Sequence, residues 1–106
     1  MKMMTKEILN KIPAIGSTDG QGHLKDRICY VKFFNPCGSW SWFGIEYDPE
    51  ERMFFGWVDG DFPEWGYFSM DELQAYKGPL GIGIERDMWF TPKPMKEVDY
   101  YQKRGM

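Results

Sequence analysis

The sequence holds one histidine and two cysteines. Two thiols, Cys29 and Cys37, are too few for a disulfide framework, and a reduced, cytoplasmic setting is the expectation. His23 sits in a glycine-rich stretch without further ligands at helix or turn spacing, so no metal pattern is written here. A nucleophile–base pair of Cys37 with His23 carries no local signature either. Positive charge is not in excess: 13 Lys and Arg stand against 16 Asp and Glu, a net charge of −3. Holding nucleic acid by its phosphates needs clustered cations, so direct nucleic-acid binding is not expected. Long apolar runs are missing as well. The opening stretch MKMMTKEILNKIP is broken by charge and reads as neither a secretory signal nor a membrane span. The glycines between Ile15 and Asp26 lack phosphate-loop spacing, no EF-hand spacing occurs, and no cofactor is implied.

What the chain does have is aromatic residues, at 18%, and eight methionines in 106 residues. That length is one domain with a modest core, built here from ring packing with Met filling the gaps. The densest stretch is Trp40 to Val58, WSWFGIEYDPEERMFFGWV. It reads as a central aromatic hairpin turning at Asp48-Pro49-Glu50-Glu51, with Trp42, Phe43, Phe54, Phe55 and Trp57 as its main structural residues. Placing Pro49-Glu50 at the turn centre sets Tyr47 opposite Arg52, Ile45 opposite Phe54 and Phe43 opposite Gly56. On the other face Trp42 meets Trp57 and Gly44 meets Phe55, so that each glycine faces a phenylalanine.

Around the hairpin, Thr5 is the expected N-cap of a short helix carrying Ile8, Leu9 and Ile12 and stopped by Pro13. Ile15 to Asp26 reads as a surface loop. Ile28 to Phe34 is a strand, Asn35 to Ser39 a turn, and Trp65 to Phe68 a short strand. Ser69 and Glu72 form a capping box that starts a helix running through Leu73 and Tyr76 to Gly78. Met88 to Phe90 reads as a further strand. Residues 1–94 are expected to form one globular unit, with 95–106 as a tail or frayed helix. The fold class is α+β: a small antiparallel sheet of about four strands with two or three short helices.

Charge is unevenly placed. Between Glu46 and Glu72 lie nine acids and one base, Arg52. Two patches are expected, Asp48, Glu50 and Glu51 at the hairpin turn, and Asp59, Asp61 and Glu64 in the next. Solvated turns and a helix N-terminus account for much of this. The functional reading is a non-enzymatic surface that attracts a basic protein or nucleoprotein. An alternative is a small nucleic-acid-binding accessory module stacking bases on exposed rings. Only Lys32 and Arg52 lie among those rings, which suits a core better. A third reading is a carboxylate-based enzyme, with Glu46 and Asp48 or Asp59 and Asp61 as acid and base. In Glu85-Arg86-Asp87, alternation sends Arg86 to the opposite face from its neighbours. It is expected to be structural, paired with a sheet acid or helix carbonyls.

The runs Tyr30-Val31-Lys32-Phe33-Phe34, Trp40-Ser41-Trp42-Phe43, Glu46-Tyr47-Asp48, Phe55-Gly56-Trp57-Val58, Gly66-Tyr67-Phe68-Ser69 and Ile84-Glu85-Arg86-Asp87, taken in order, resemble a domain-of-unknown-function family. It consists of short bacterial and phage proteins carried on plasmids, conjugative elements and prophages. The resemblance covers roughly Ile8 to Pro94. It implies a protein of mobile elements. One branch of similar proteins is reported as anti-CRISPR inhibitors of type II guide-RNA nucleases, which implies stoichiometric binding to such a nuclease. It implies no catalytic residues.

Overall fold

The computed structural model describes residues 2–104; of the expected C-terminal segment, residues 105 and 106 lie outside the described ones. The strands are β1 (Ile28–Cys29), β2 (Val31–Phe34), β3 (Ser41–Asp48), β4 (Met53–Asp59), β5 (Pro63–Ser69), β6 (Glu85–Arg86) and β7 (Lys93–Pro94). The helices are α1 (Lys6–Lys11), α2 (Met70–Ala75) and α3 (Asp99–Arg104). Five strands form one antiparallel sheet in the order β5-β4-β3-β2-β6, and β1 pairs with β7 as a separate two-stranded piece. The α+β class and the mostly antiparallel sheet match the expectation; the strand count is higher. Met88 to Phe90 is a turn rather than a strand. The pairing in that region falls instead on Glu85 and Arg86, opposite Phe34 and Phe33.

Both N-caps form as the residues dictate. Thr5 Oγ1 accepts from the Ile8 amide at 3.1 Å and Ser69 Oγ from the Glu72 amide at 3.1 Å. Each satisfies an otherwise orphaned helix donor. After α1 the chain leaves at Pro13, whose carbonyl accepts from the Tyr47 amide.

The hairpin register differs from the expected one. Asp48 pairs with Met53, Tyr47 with Phe54 and Glu46 with Phe55; the ladder then shifts, and Gly44 pairs with Gly56, Phe43 with Trp57 and Trp42 with Val58. Two features move it. The loop is four residues long, 49–52, and closes with Arg52 in the left-handed region at φ 53°. Ile45 is then the extra residue of a bulge between Gly44 and Glu46. The glycines therefore face each other rather than phenylalanine, and Gly66 extends the row across β5. Gly56 is required there, because a Cβ would lie 1.8 Å from the Phe43 carbonyl oxygen.

The bulge also sorts the core. A bulge places two residues against one and breaks the strict alternation of faces. Phe43 and Ile45 point to one face while Tyr47 crosses to the other. The front face buries Val31, Phe33, Tyr47, Phe54 and Phe68 under Met3, Met70 and Leu73, with Ile8 of α1 packed on the edge. The back face buries Cys29, Phe43, Ile45 and Trp57 under Met95 and Val98, with Tyr101 of α3 against Trp57. Trp42 and Trp57 consequently lie on opposite faces, where the expected pairing put them together. Lys32 points to the back face. Its ammonium sits 4.3 Å from the Tyr100 ring centre and 3.6 Å from Asp87, a cation–π and ion-pair clamp on α3. Arg86 is half-buried, and its Nε donates to the Lys2 carbonyl at 3.0 Å.

Candidate functional site

The acids of the 46–72 stretch fall into three environments. Glu46 is buried at 2% exposure. Its Oε1 accepts from the Gly16 amide at 2.9 Å, and its Oε2 from the Thr18 amide at 3.0 Å and the Thr18 hydroxyl at 2.5 Å. Burial alone would raise this carboxyl. The three donors, with Arg27 nearby, overcome that and hold it below the usual carboxylate range. Arg27 in turn donates to Thr18 Oγ1 and to the Gly22 carbonyl. Glu46 is thus the peg on which the 14–22 segment hangs, and its oxygens are filled rather than offered to a ligand.

Asp59 forms the second environment. It is 2% exposed, not on the surface where a patch with Asp61 and Glu64 would need it. It ends β4 at the edge of the back face, where α3 closes over it. Arg104 Nε stands 3.2 Å from Oδ1, in a geometry that leaves that oxygen without a hydrogen bond. Burial pushes the Asp59 carboxyl above its ordinary value, and Arg104 offsets only part of that.

The third environment is solvent. Glu50 and Glu51 are exposed in the hairpin loop, and Asp48 beside them is half-buried, its Oδ1 accepting from the Glu50 amide. Asp61 and Glu64 are exposed at the other end of β4, so a whole strand separates the two sets. Asp71 is taken up by Arg52 at 2.6 Å, with Gln74 on the same guanidinium. Neither suggested acid–base pair comes together as a free pair: Glu46 is locked by Thr18, and Asp59 faces Arg104.

A groove near these exposed acids was not evident from the residues alone. On the front face, between α2 and the β2–β3 turn, lies a cavity of about 500 Å³. Trp40, Trp42, Phe68 and Tyr76 supply its aromatic walls, and Leu73 and Ile84 its apolar floor. Glu72 is the one charged residue lining it. Among the described residues the Glu72 carboxylate has no hydrogen bond or ion pair; Ser69 binds its backbone amide, not its side chain. Trp40 is held from behind. Its Nε1 donates to Asp61 at 3.2 Å, and its ring lies so close over Gly60 that a Cβ there would come within 2.8 Å. The groove draws on residues from 35 to 84, and no local spacing announces it. The only sequence signal is the run Trp40-Ser41-Trp42, whose alternate residues share a face.

No group of three or more His, Cys, Asp or Glu among the described residues is arranged to hold a metal ion. None of their helices is long and apolar enough to cross a membrane. The family model described as "Protein of unknown function (DUF2958)" matches residues 3–103. The chain belongs to this family. The DUF2958 match spans both layers of the sheet's packing, from Met3 under the front face to α3 on the back. No curated protein and no solved structure matches the chain.

Proposed function

We propose that this member of the DUF2958 family is a non-enzymatic interaction protein that binds a basic protein or nucleoprotein stoichiometrically. The observation that carries the reading is the pairing pattern of its acids. Glu50, Glu51, Asp61, Glu64 and Glu72 are exposed and have no Lys or Arg at ion-pair distance among the described residues. Five uncompensated carboxylates within one stretch attract a cationic surface and steer its approach. The resemblance to proteins of mobile elements supports a particular partner, a guide-RNA nuclease. Such enzymes hold nucleic acid in positively charged channels, and an acidic protein that covers one would act as an anti-CRISPR inhibitor.

The test is affinity capture from a host that carries a type II system, followed by titration of the purified nuclease. The native chain is compared with a variant carrying Glu50→Gln, Glu51→Gln, Asp61→Asn, Glu64→Gln and Glu72→Gln. Binding should weaken as salt rises and fall by about tenfold or more in the variant. Equal binding by the two proteins, or binding indifferent to salt, would sink the reading.

A further inference from the structure

We infer that the Trp40–Trp42–Tyr76 groove is the seat of an arginine side chain presented by the basic partner; this rests on the proposed function above and specifies its anchor. The charge of the groove selects the ligand. Its one charged lining residue is Glu72, whose carboxylate has no partner among the described residues. An anion would be repelled there. A neutral apolar group would strip water from Glu72 without replacing it, which is costly. A cation satisfies the carboxylate and the electron-rich ring faces together.

The shape narrows the choice to arginine. Indole and phenol walls offer flat faces, on which a planar guanidinium stacks while its N–H fork pairs with a carboxylate. A lysine ammonium is a strongly hydrated point charge and gains less from such walls. At about 500 Å³ the groove is in the range that receives small ligands, with room for the side chain and its flanking backbone. Trp40 is also fixed before anything binds. Asp61 holds its indole N–H and Gly60 lets its ring settle on the backbone. Little wall ordering then remains to oppose binding.

The test follows the tryptophan indole N–H signals in ¹H–¹⁵N spectra of the full chain. The probes are acetylated pentapeptides of two glycines, a central residue and two glycines, with arginine, lysine or uncharged citrulline at the centre. The arginine peptide should shift the Trp40 and Trp42 signals saturably, and citrulline should bind about tenfold more weakly. Lysine should fall between them. Glu72→Gln, an exposed change that leaves the fold's signal dispersion intact, should abolish the preference for arginine over citrulline. Glu97→Gln, an exposed change near Met95 on the back face and outside the proposed acidic surface, should leave it unchanged. Equal shifts with arginine and citrulline, lysine binding as tightly as arginine, or a preference that survives Glu72→Gln, would each overturn the inference. A nona-arginine peptide titrated in parallel separates this failure from that of the broader reading. Salt-dependent binding of nona-arginine with motionless groove signals removes the arginine seat and leaves the acidic surface standing. No nona-arginine binding at low salt removes both.

Discussion

Replacing Glu46 by alanine should unpin the 14–22 segment and cost the fold a large part of its stability. Three donors converge on this one carboxylate, at 2.9, 3.0 and 2.5 Å. Hydrogen bonds to a charged partner contribute about 1.5–3 kcal/mol each, and they do not add fully when they share an acceptor. Thr18 is buried at 3% exposure, so its amide and hydroxyl would be left without water, whereas Gly16 is exposed and can rehydrate. A loss of about 3–5 kcal/mol follows for Glu46→Ala, against a total of roughly 5–15 kcal/mol for a domain. Glu46→Gln keeps one acceptor but turns an amide N–H₂ toward a donor, and should cost about 1–2 kcal/mol. The pH dependence has a definite sign. The folded carboxyl titrates below its ordinary 4.5, so its stabilisation is complete above that value and is lost as pH falls through the folded pKa. The gap between native protein and Glu46→Gln should be full near pH 7 and shrink on acidification below about 4.5. Urea unfolding followed by tryptophan fluorescence at a series of pH values measures both. An alanine variant within about 0.5 kcal/mol of native at pH 7, or a glutamine gap that widens with acid, would refute the reasoning.

Three further outcomes are expected. Gly56→Ala should destabilise by about 3 kcal/mol or more, since its Cβ meets the Phe43 carbonyl at 1.8 Å, while Gly66→Ala in the same row meets nothing within 4 Å and should be tolerated; similar urea midpoints for the two would contradict the register. Asp59 carries the opposite pH sign to Glu46: its folded pKa is raised above 3.8, so its contribution is complete below that value and lost as pH rises through the folded pKa. Asp59→Asn should therefore gain stability relative to native between about pH 3 and pH 7, and a constant difference in thermal midpoints over that range would count against it. The Cys29 thiol is fully buried and pushed up to about 12, whereas Cys37 is exposed; one thiol should react with an aromatic disulfide reagent in the native protein and two after denaturation, and two fast thiols in the native protein would speak against the packing of the back face.

The elements that local chemistry decides were readable from the residues. Thr5 and Ser69 cap the helices they were expected to cap, because a hydroxyl followed by an orphan amide three residues on is a short-range arrangement. The hairpin strands were readable as strands, but their register was not. It depends on Arg52 adopting a left-handed conformation with no glycine to mark it, and on a bulge at Ile45 that carries no local code. The acids show the same limit. Glu50 and Glu51 lie in solvent as turn residues do, but Glu46 and Asp59 look identical in a string and are buried. Their partners, Thr18 and Arg104, stand 28 and 45 positions away, which follows from 46 − 18 and 104 − 59. The 15–26 stretch reads as a surface loop because it is rich in glycine and polar residues; that Thr18 within it and Arg27 just after it fasten it to Glu46 has no local signal. The groove was unreadable for the same reason, since its walls meet only after β3, β5 and α2 have packed.

The sheet serves two cores at once, and this bears on how the domain comes apart. The front and back clusters touch through the ladder of β3 and β4 rather than through shared side chains. Phe43 and Trp57 anchor one cluster, and Tyr47 and Phe54, on the same two strands, anchor the other. Neither cluster can loosen far without tearing the ladder that carries both. The molecule should therefore melt as a single cooperative unit, its van't Hoff enthalpy equal to the calorimetric one. Mutations on opposite faces, joined only by backbone, should meanwhile sum almost independently.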